Sequence, residues 1–457
     1  MVDGERRKIQ GVLAFEPALE GEAPRRVDEG AEPFAAGSEP ESPANTERLM
    51  EEVAEAENLR KALKRVMANK GCAGVDRMSC RELPEYLKAH WPRIREELLA
   101  GRYKPQPVLR VKIPKPDGGM RDLGIPTVLD RFIQQALLQR LQALWDGTFS
   151  DSSYGFRPHR SAHQAVERAQ GYIQQGCGIV VDIDLEKFFD RVNHDDLMNE
   201  IAKWVTDKRV LKLVRGYLNA GVLEDGLVKP VDEGAPQGGP LSPLLSNIVL
   251  DKLDKELEER GHRFVRYADD CNIYVRSKRA GQRVMEGIGR FIEKKLRLKV
   301  NKDKSAVGKP KERKFLGFSF TGGKEPRRRI APKALYRFRA RVRELTRRTR
   351  GARLERIIEE LAKYLRGWRA YFGFCQTPSV LKEQDEWLRR RLRSLIWKRW
   401  KRGRVRFREL RARGVGKDLA AQTAGSSHSP WCISRSPALS YAFPNAFFKR
   451  LGLPSLA

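Results

Sequence analysis

Between residues 105 and 325, short apolar strand-like runs alternate with helix-like segments. The runs 108–113, 178–183, 264–268, 272–275 and 314–320 predict strands. Residues 130–145 and 243–259 predict helices between them. This mixture predicts an α+β domain with an antiparallel sheet. A further helix is expected from Thr46, with Asn45 or Thr46 as its cap, to about Met67. From Pro332 the pattern is helical only. Leu354, Ile357, Ile358, Leu361, Leu365 and Trp368 form one apolar stripe, and Leu388, Leu392, Leu395 and Ile396 a second. These stripes predict the core of a small helical bundle.

Charge changes the reading of that bundle. The 457-residue chain carries a net charge of +31, and residues 333–413 hold 27 Lys and Arg against 8 Asp and Glu. A basic excess gathered in under a fifth of the chain points to a polyanionic partner, nucleic acid before a membrane surface. Residues 1–50 run the other way, with 6 basic and 11 acidic groups. Residues 1–45 show no period and predict a disordered acidic tail. No apolar run is long enough to span a membrane, and no apolar stretch follows the N-terminus as in a signal peptide, so a cytoplasmic protein is expected. The six cysteines form no C-x-x-C pair, which argues against zinc or a disulfide framework and for scattered reduced thiols.

Two acidic elements carry the candidate chemistry. Arg266-Tyr267-Ala268-Asp269-Asp270-Cys271-Asn272-Ile273-Tyr274-Val275 reads as strand, two acids, strand. A tight turn with two carboxylates at its tip is the simplest geometry. An isolated Asp-Asp pair also fits an ordinary polar turn. The second element shifts the balance: in Val180-Val181-Asp182-Ile183-Asp184, alternation puts Asp182 and Asp184 on one face, with Asp184 at the strand's end. Adjacent like charges are tolerated when solvated or when a divalent cation lies between them. Asp184, Asp269 and Asp270 together would suit a polymerase centre holding two Mg²⁺ ions roughly 4 Å apart.

These residues resemble the reverse transcriptase family. Tyr267-Ala268-Asp269-Asp270 is similar to its catalytic hairpin, and Asp184 with Phe189 five residues on is similar to its first catalytic motif. Gly234-Ala235-Pro236-Gln237-Gly238-Gly239-Pro240-Leu241-Ser242-Pro243 resembles the loop-to-helix motif under the nascent base pair. Lys112-Ile113-Pro114-Lys115-Pro116-Asp117-Gly118-Gly119-Met120-Arg121 resembles the fingers motif. More narrowly, Ser153-Tyr154-Gly155-Phe156-Arg157-Pro158, Lys314-Phe315-Leu316-Gly317-Phe318 and Tyr364-Leu365-Arg366-Gly367-Trp368 resemble bacterial group II intron-encoded proteins, which are reverse transcriptases with maturase activity. The motifs occur in order over roughly residues 50–455.

The resemblance implies a right-hand polymerase with fingers and palm over 46–325. A basic α-helical thumb or maturase domain would follow over 326–413, and a short DNA-binding-like tail without an endonuclease over 414–457. It implies Asp184, Asp269 and Asp270 as catalytic and Mg²⁺-binding residues. Lys115, Arg121, Phe189, Gln237 and Gly238 would contact the nucleotide, with Phe189 against its sugar. Arg366 and the cluster Arg389, Arg390, Arg391 and Arg393 are the candidates for RNA contact. The partners implied are group II intron RNA, an RNA template with a DNA primer, target DNA and dNTPs. Two other uses of the same sequence stay open at this point: a splicing-only RNA-binding protein, and a free-standing reverse transcriptase in repair or defence. His159, His163 and His194 show no metal spacing and are expected to bond backbone or solvent.

Overall fold

The computed structural model describes residues 46–114, 119–224, 227–229, 234, 238–347 and 349–457. Lys115 and Gln237, and the acidic tail 1–45, lie outside the described residues. Contacts divide the chain into two units that part after Lys309. No helix among the described residues is long and apolar enough to cross a membrane.

The first unit begins with α1 (Leu49–Val53) and α2 (Ala56–Asn69). The expected single helix is thus broken at Ala54 and Glu55. The Asn58 side chain donates to the Val53 carbonyl at 2.9 Å, taking the acceptor a continuous helix would use. Thr46 caps nothing. Its hydroxyl donates to the Trp204 carbonyl at 3.1 Å instead.

Strands β1 (Val108–Pro114), β2 (Met120–Ile125), β4 (Val222–Glu224) and β5 (Leu227–Lys229) form one sheet in the order β2-β1-β4-β5. β1 and β2 pair antiparallel, whereas β1 and β4 run parallel. Helices α3 (Val128–Trp145) and α4 (Ala162–Gln174) follow β2. The second sheet is wholly antiparallel, in the order β6-β7-β3-β8, from β3 (Ile179–Ile183), β6 (Arg263–Tyr267), β7 (Asp270–Val275) and β8 (Ala306–Gly308). Val181, Ile183, Phe264 and Ile273 join the main core. Pleat alternation sends Asp182, Asn272 and Asp270 to the opposite face. Helix α5 (Ser242–Glu259) lies against β6, and α6 (Lys278–Lys295) lies across β3, β7 and β8.

The second unit opens with a two-stranded ribbon, β9 (Phe318–Phe320) with β10 (Arg328–Ile330). The strand expected over 314–320 is therefore half its length. Leu316 and Gly317 both take positive φ, 50° and 79°, and fold Phe315 back onto Phe318. The contact boundary after Lys309 falls before this ribbon for a related reason. Phe318 packs on Tyr371 and Phe372 at 5.5 and 5.4 Å, and the Tyr371 hydroxyl donates to the Leu316 carbonyl, so the ribbon belongs with the helices. Helices α7 (Pro332–Leu345), α8 (Leu354–Phe372) and α9 (Pro378–Arg399) form the bundle. Ile357, Ile358, Leu361, Leu365, Leu388, Leu392 and Leu395 are buried, as their spacing predicts. Short helices over 403–450 pack with α9 in the same unit. All six cysteines are free, and Cys80, Cys177 and Cys271 are buried.

Candidate active site

The candidate acids gather at one end of the antiparallel sheet. β6 and β7 are joined by a two-residue turn, with Tyr267 opposite Asp270 and Ala268 and Asp269 at the tip. Ala268 has φ 55°, a left-handed conformation that a residue with a Cβ adopts only when its surroundings hold it there. β3 pairs β7 with Ile183 opposite Cys271. One further residue along that register brings Asp184 beside Asp270. All three acids are half-buried. The loop 301–305 fixes the main chain of Asp184: the Asn301 amide donates to its carbonyl at 2.8 Å, and its own amide donates to Ser305 Oγ at 3.0 Å. Lys304 Nζ stands 3.7 Å from Asp184 Oδ2 and is half-exposed, so that ion pair is weak.

The donor set is all oxygen, which suits Mg²⁺ in its chemistry. Among the described residues, no three His, Cys, Asp or Glu side chains converge as a ready ligand group.

Beneath the turn lies a group that the sequence motifs leave without a role. Arg266 is fully buried inside an apolar strand. Its Nε and Nη2 donate to both oxygens of Asp254 at 2.7 and 2.5 Å. Nη1 donates to Asn247 Oδ1 at 2.9 Å and to the Ala268 carbonyl at 3.0 Å, and Nη2 donates to Ser153 Oγ at 2.8 Å. Burial works against the charge on Arg266, but the Asp254 carboxylate more than offsets it, and the guanidinium pKa stands above its ordinary value. Asp254 sits on the apolar stripe of α5 with Leu250, Leu253 and Leu257. An acid on such a stripe is the sequence signal for a buried partner.

The Ser153-Tyr154-Gly155-Phe156-Arg157-Pro158 motif is a strap behind the same turn. Asn247 Nδ2 donates to the Gly155 carbonyl at 2.8 Å. A Cβ on Gly155 would lie 2.3 Å from the Ala268 nitrogen, so only glycine lets the strap come this close. Arg157 pins the strap by donating to the carbonyls of Ser150 and Ser153 and to Asp146.

The nucleotide candidates divide. Arg121 lies in β2 opposite Ile113, partly exposed. Phe189 is half-buried and meets Phe188 edge-on at 5.2 Å. Gly238 has φ 125°, and a Cβ there would lie 2.5 Å from the Gly124 carbonyl of β2, so its clearance serves the protein's own backbone. His194 is buried, with Nε2 2.6 Å from the Gly234 carbonyl and Nδ1 3.1 Å from Asn219 Oδ1.

In the second unit the basic cluster is partly spent on internal bonds. Arg390 stacks 3.9 Å from the centre of the Trp431 ring and donates to Ser434 Oγ and the Trp431 carbonyl. Arg391 donates to Thr346 Oγ1 and to the Arg343 carbonyl, and Arg393 to the Phe443 carbonyl. Arg389 is half-exposed and Arg366 exposed.

Comparison with known proteins fits this layout. Residues 113–320 match the family model for reverse transcriptase (RNA-dependent DNA polymerase), and residues 335–414 match the group II intron, maturase-specific domain. The chain is 32% identical to Protein YkfC of Escherichia coli (strain K12) over 62% of its own length and 84% of that protein. It is 30% identical to the group II intron-encoded protein LtrA of Lactococcus lactis subsp. cremoris, over 50% of its length and 49% of LtrA, so it spans about half of that relative. The two matched models follow each other in the order of the two structural units, and on these matches the chain belongs to the group II intron-encoded reverse transcriptase and maturase family.

Proposed function

We propose that the chain is an RNA-directed DNA polymerase that extends a DNA primer on an RNA template through Asp184, Asp269 and Asp270. The observation that carries this reading is the register of the antiparallel sheet, which brings an acid at the end of β3 beside a two-acid turn within the reverse transcriptase span. The three carboxylates would hold the metal. Bound there, two Mg²⁺ supply the charge that activates the primer 3′-hydroxyl and offsets the triphosphate. By their sequence motifs, Arg121 and Lys115 would grip the triphosphate, Phe189 would lie against the sugar, and Gln237 and Gly238 would lie under the nascent pair.

The helical unit binds group II intron RNA and assists its splicing, and the polymerase copies the intron into target DNA at a primed site. The match over 335–414 and the charge of that span support this. Arg366 and Arg389 are better placed than Arg390, Arg391 and Arg393 for phosphate contact, because the latter three already bond within the protein.

The test is primer extension on an RNA template with Asp269→Ala. The expected result is a loss on the order of 10³-fold or more, the scale of several kcal/mol of lost transition-state stabilisation. Extension at the parent rate would overturn the assignment.

A further inference from the structure

We propose that Arg266 is the positioning residue of the two-acid turn: its five N–H groups bind the turn, helix α5 and the 153–155 strap into one mount that holds Asp269 and Asp270 in place. This rests on the reading of those acids as catalytic.

Three observations carry it. First, the guanidinium is saturated. Arginine has five N–H donors, and Arg266 places all five on acceptors: two on Asp254, one each on Asn247, Ser153 and Ala268. Second, one acceptor is the carbonyl of Ala268, the residue whose positive φ makes the turn. The turn therefore carries a conformation its sequence disfavours, and the bond that opposes its relaxation comes from below. Third, the mount closes on itself. Asn247 accepts from Arg266 and donates to Gly155, and Gly155 lies against the Ala268 nitrogen, so the turn is held from the strap side as well.

The physical need is plain. Two adjacent carboxylates repel, and a third acid stands beside them. Without a rigid mount the turn would splay before any cation or substrate arrived. A displacement near 1 Å in a reacting geometry lowers rate on the order of 10²-fold. Lysine cannot replace this group, since its ammonium carries three donors on one point and no planar fork.

The experiment compares Arg266→Lys, Asn247→Ala and Asp269→Asn with the parent, each as the full chain. Two readouts are taken. Primer extension separates kcat from the KM for dNTP. Hydrogen exchange of the metal-free protein, read by mass spectrometry, compares the segment 266–271 with 179–183. The expected result for Arg266→Lys is a kcat lower by about 10- to 100-fold with KM within about twofold, and faster exchange at 266–271 with β3 unchanged. Asn247→Ala gives the same pattern, smaller in size, and carries the test if Arg266→Lys does not fold.

Faster exchange spread evenly over both segments would mean that Arg266 only stabilises the domain, and would overturn the proposal. So would unchanged kcat and exchange in a folded variant. If Asp269→Asn extends primers at the parent rate, the catalytic reading of the acids fails. The exchange arm still decides whether Arg266 holds the turn.

Discussion

Arg266 in the first unit and Arg390 in the second are both arginines tied to their own protein, but they are tied for different ends. Arg266 is enclosed, paired to Asp254 and saturated, and it supports a turn that carries two half-buried acids. Arg390 lies on the side of α9, half-exposed, stacked on Trp431 and bonded to neutral oxygens. Arg413 likewise lies near the rings of both Trp400 and Phe443. Net charge over 333–413 counts every guanidinium equally, yet part of that charge is used to cap carbonyls and cover aromatic rings. A planar cation with a weak hydration shell does this well. Charge density therefore locates a nucleic-acid surface only to within a helix face.

The largest effect is expected at Asp254. Asp254→Ala leaves Arg266 charged and enclosed without its counterion, and should destabilise the first unit by about 3–5 kcal/mol. A shift in the urea midpoint far below that would mean the pair is dispensable. Gly155→Ala comes next, since its added carbon meets backbone rather than a movable side chain. It should lose about 1–3 kcal/mol and slow primer extension, checked by the same melt and a turnover assay.

In the second unit, Arg390→Ala should lower stability by about 1–2 kcal/mol through the lost ring contact and hydrogen bonds. It should leave the salt dependence of RNA binding nearly intact. Arg366→Glu should do the reverse, reducing the slope of log affinity against log salt by roughly one. Equal slopes for the two variants would mean that Arg390 and Arg366 face RNA alike.

The smallest effect is in pH. The Arg350 guanidinium donates two hydrogen bonds to Glu360 and holds its carboxyl below the usual 4.5. A lowered folded-state pKa means stability that is complete above 4.5 and lost as pH falls through the folded value. Thermal midpoints between pH 6 and 3 should show this, and Glu360→Gln should flatten it.

Much of this arrangement was legible in the sequence. Apolar runs flanking the acids marked β3, β6 and β7, and the stripe through Ile357 and Leu361 marked the bundle. What escaped did so for definable reasons. The strand expected over 314–320 is folded at Leu316, a left-handed leucine that no propensity signals. The helix expected from Thr46 breaks because Asn58, the third residue of the next helix, takes the Val53 carbonyl. Arg266 and Asp254 were each visible as a charge among apolar neighbours, but their pairing depends on a strand and a helix meeting in space. The uses of Arg390, Arg391 and Arg393 depend on residues 40 to 50 positions away, such as Thr346, Trp431 and Phe443.

The saturation of Arg266 also makes it an observer. With every N–H engaged, rotation about its Cζ–Nε bond is arrested and solvent has no vacant donor to exchange with. Its side-chain protons should give separate, slowly exchanging resonances in a nitrogen-edited spectrum, apart from the averaged signals of surface arginines. Because one of those protons points at the Ala268 carbonyl, its frequency would report the state of the acidic turn directly. The protein carries its own label under the two aspartates.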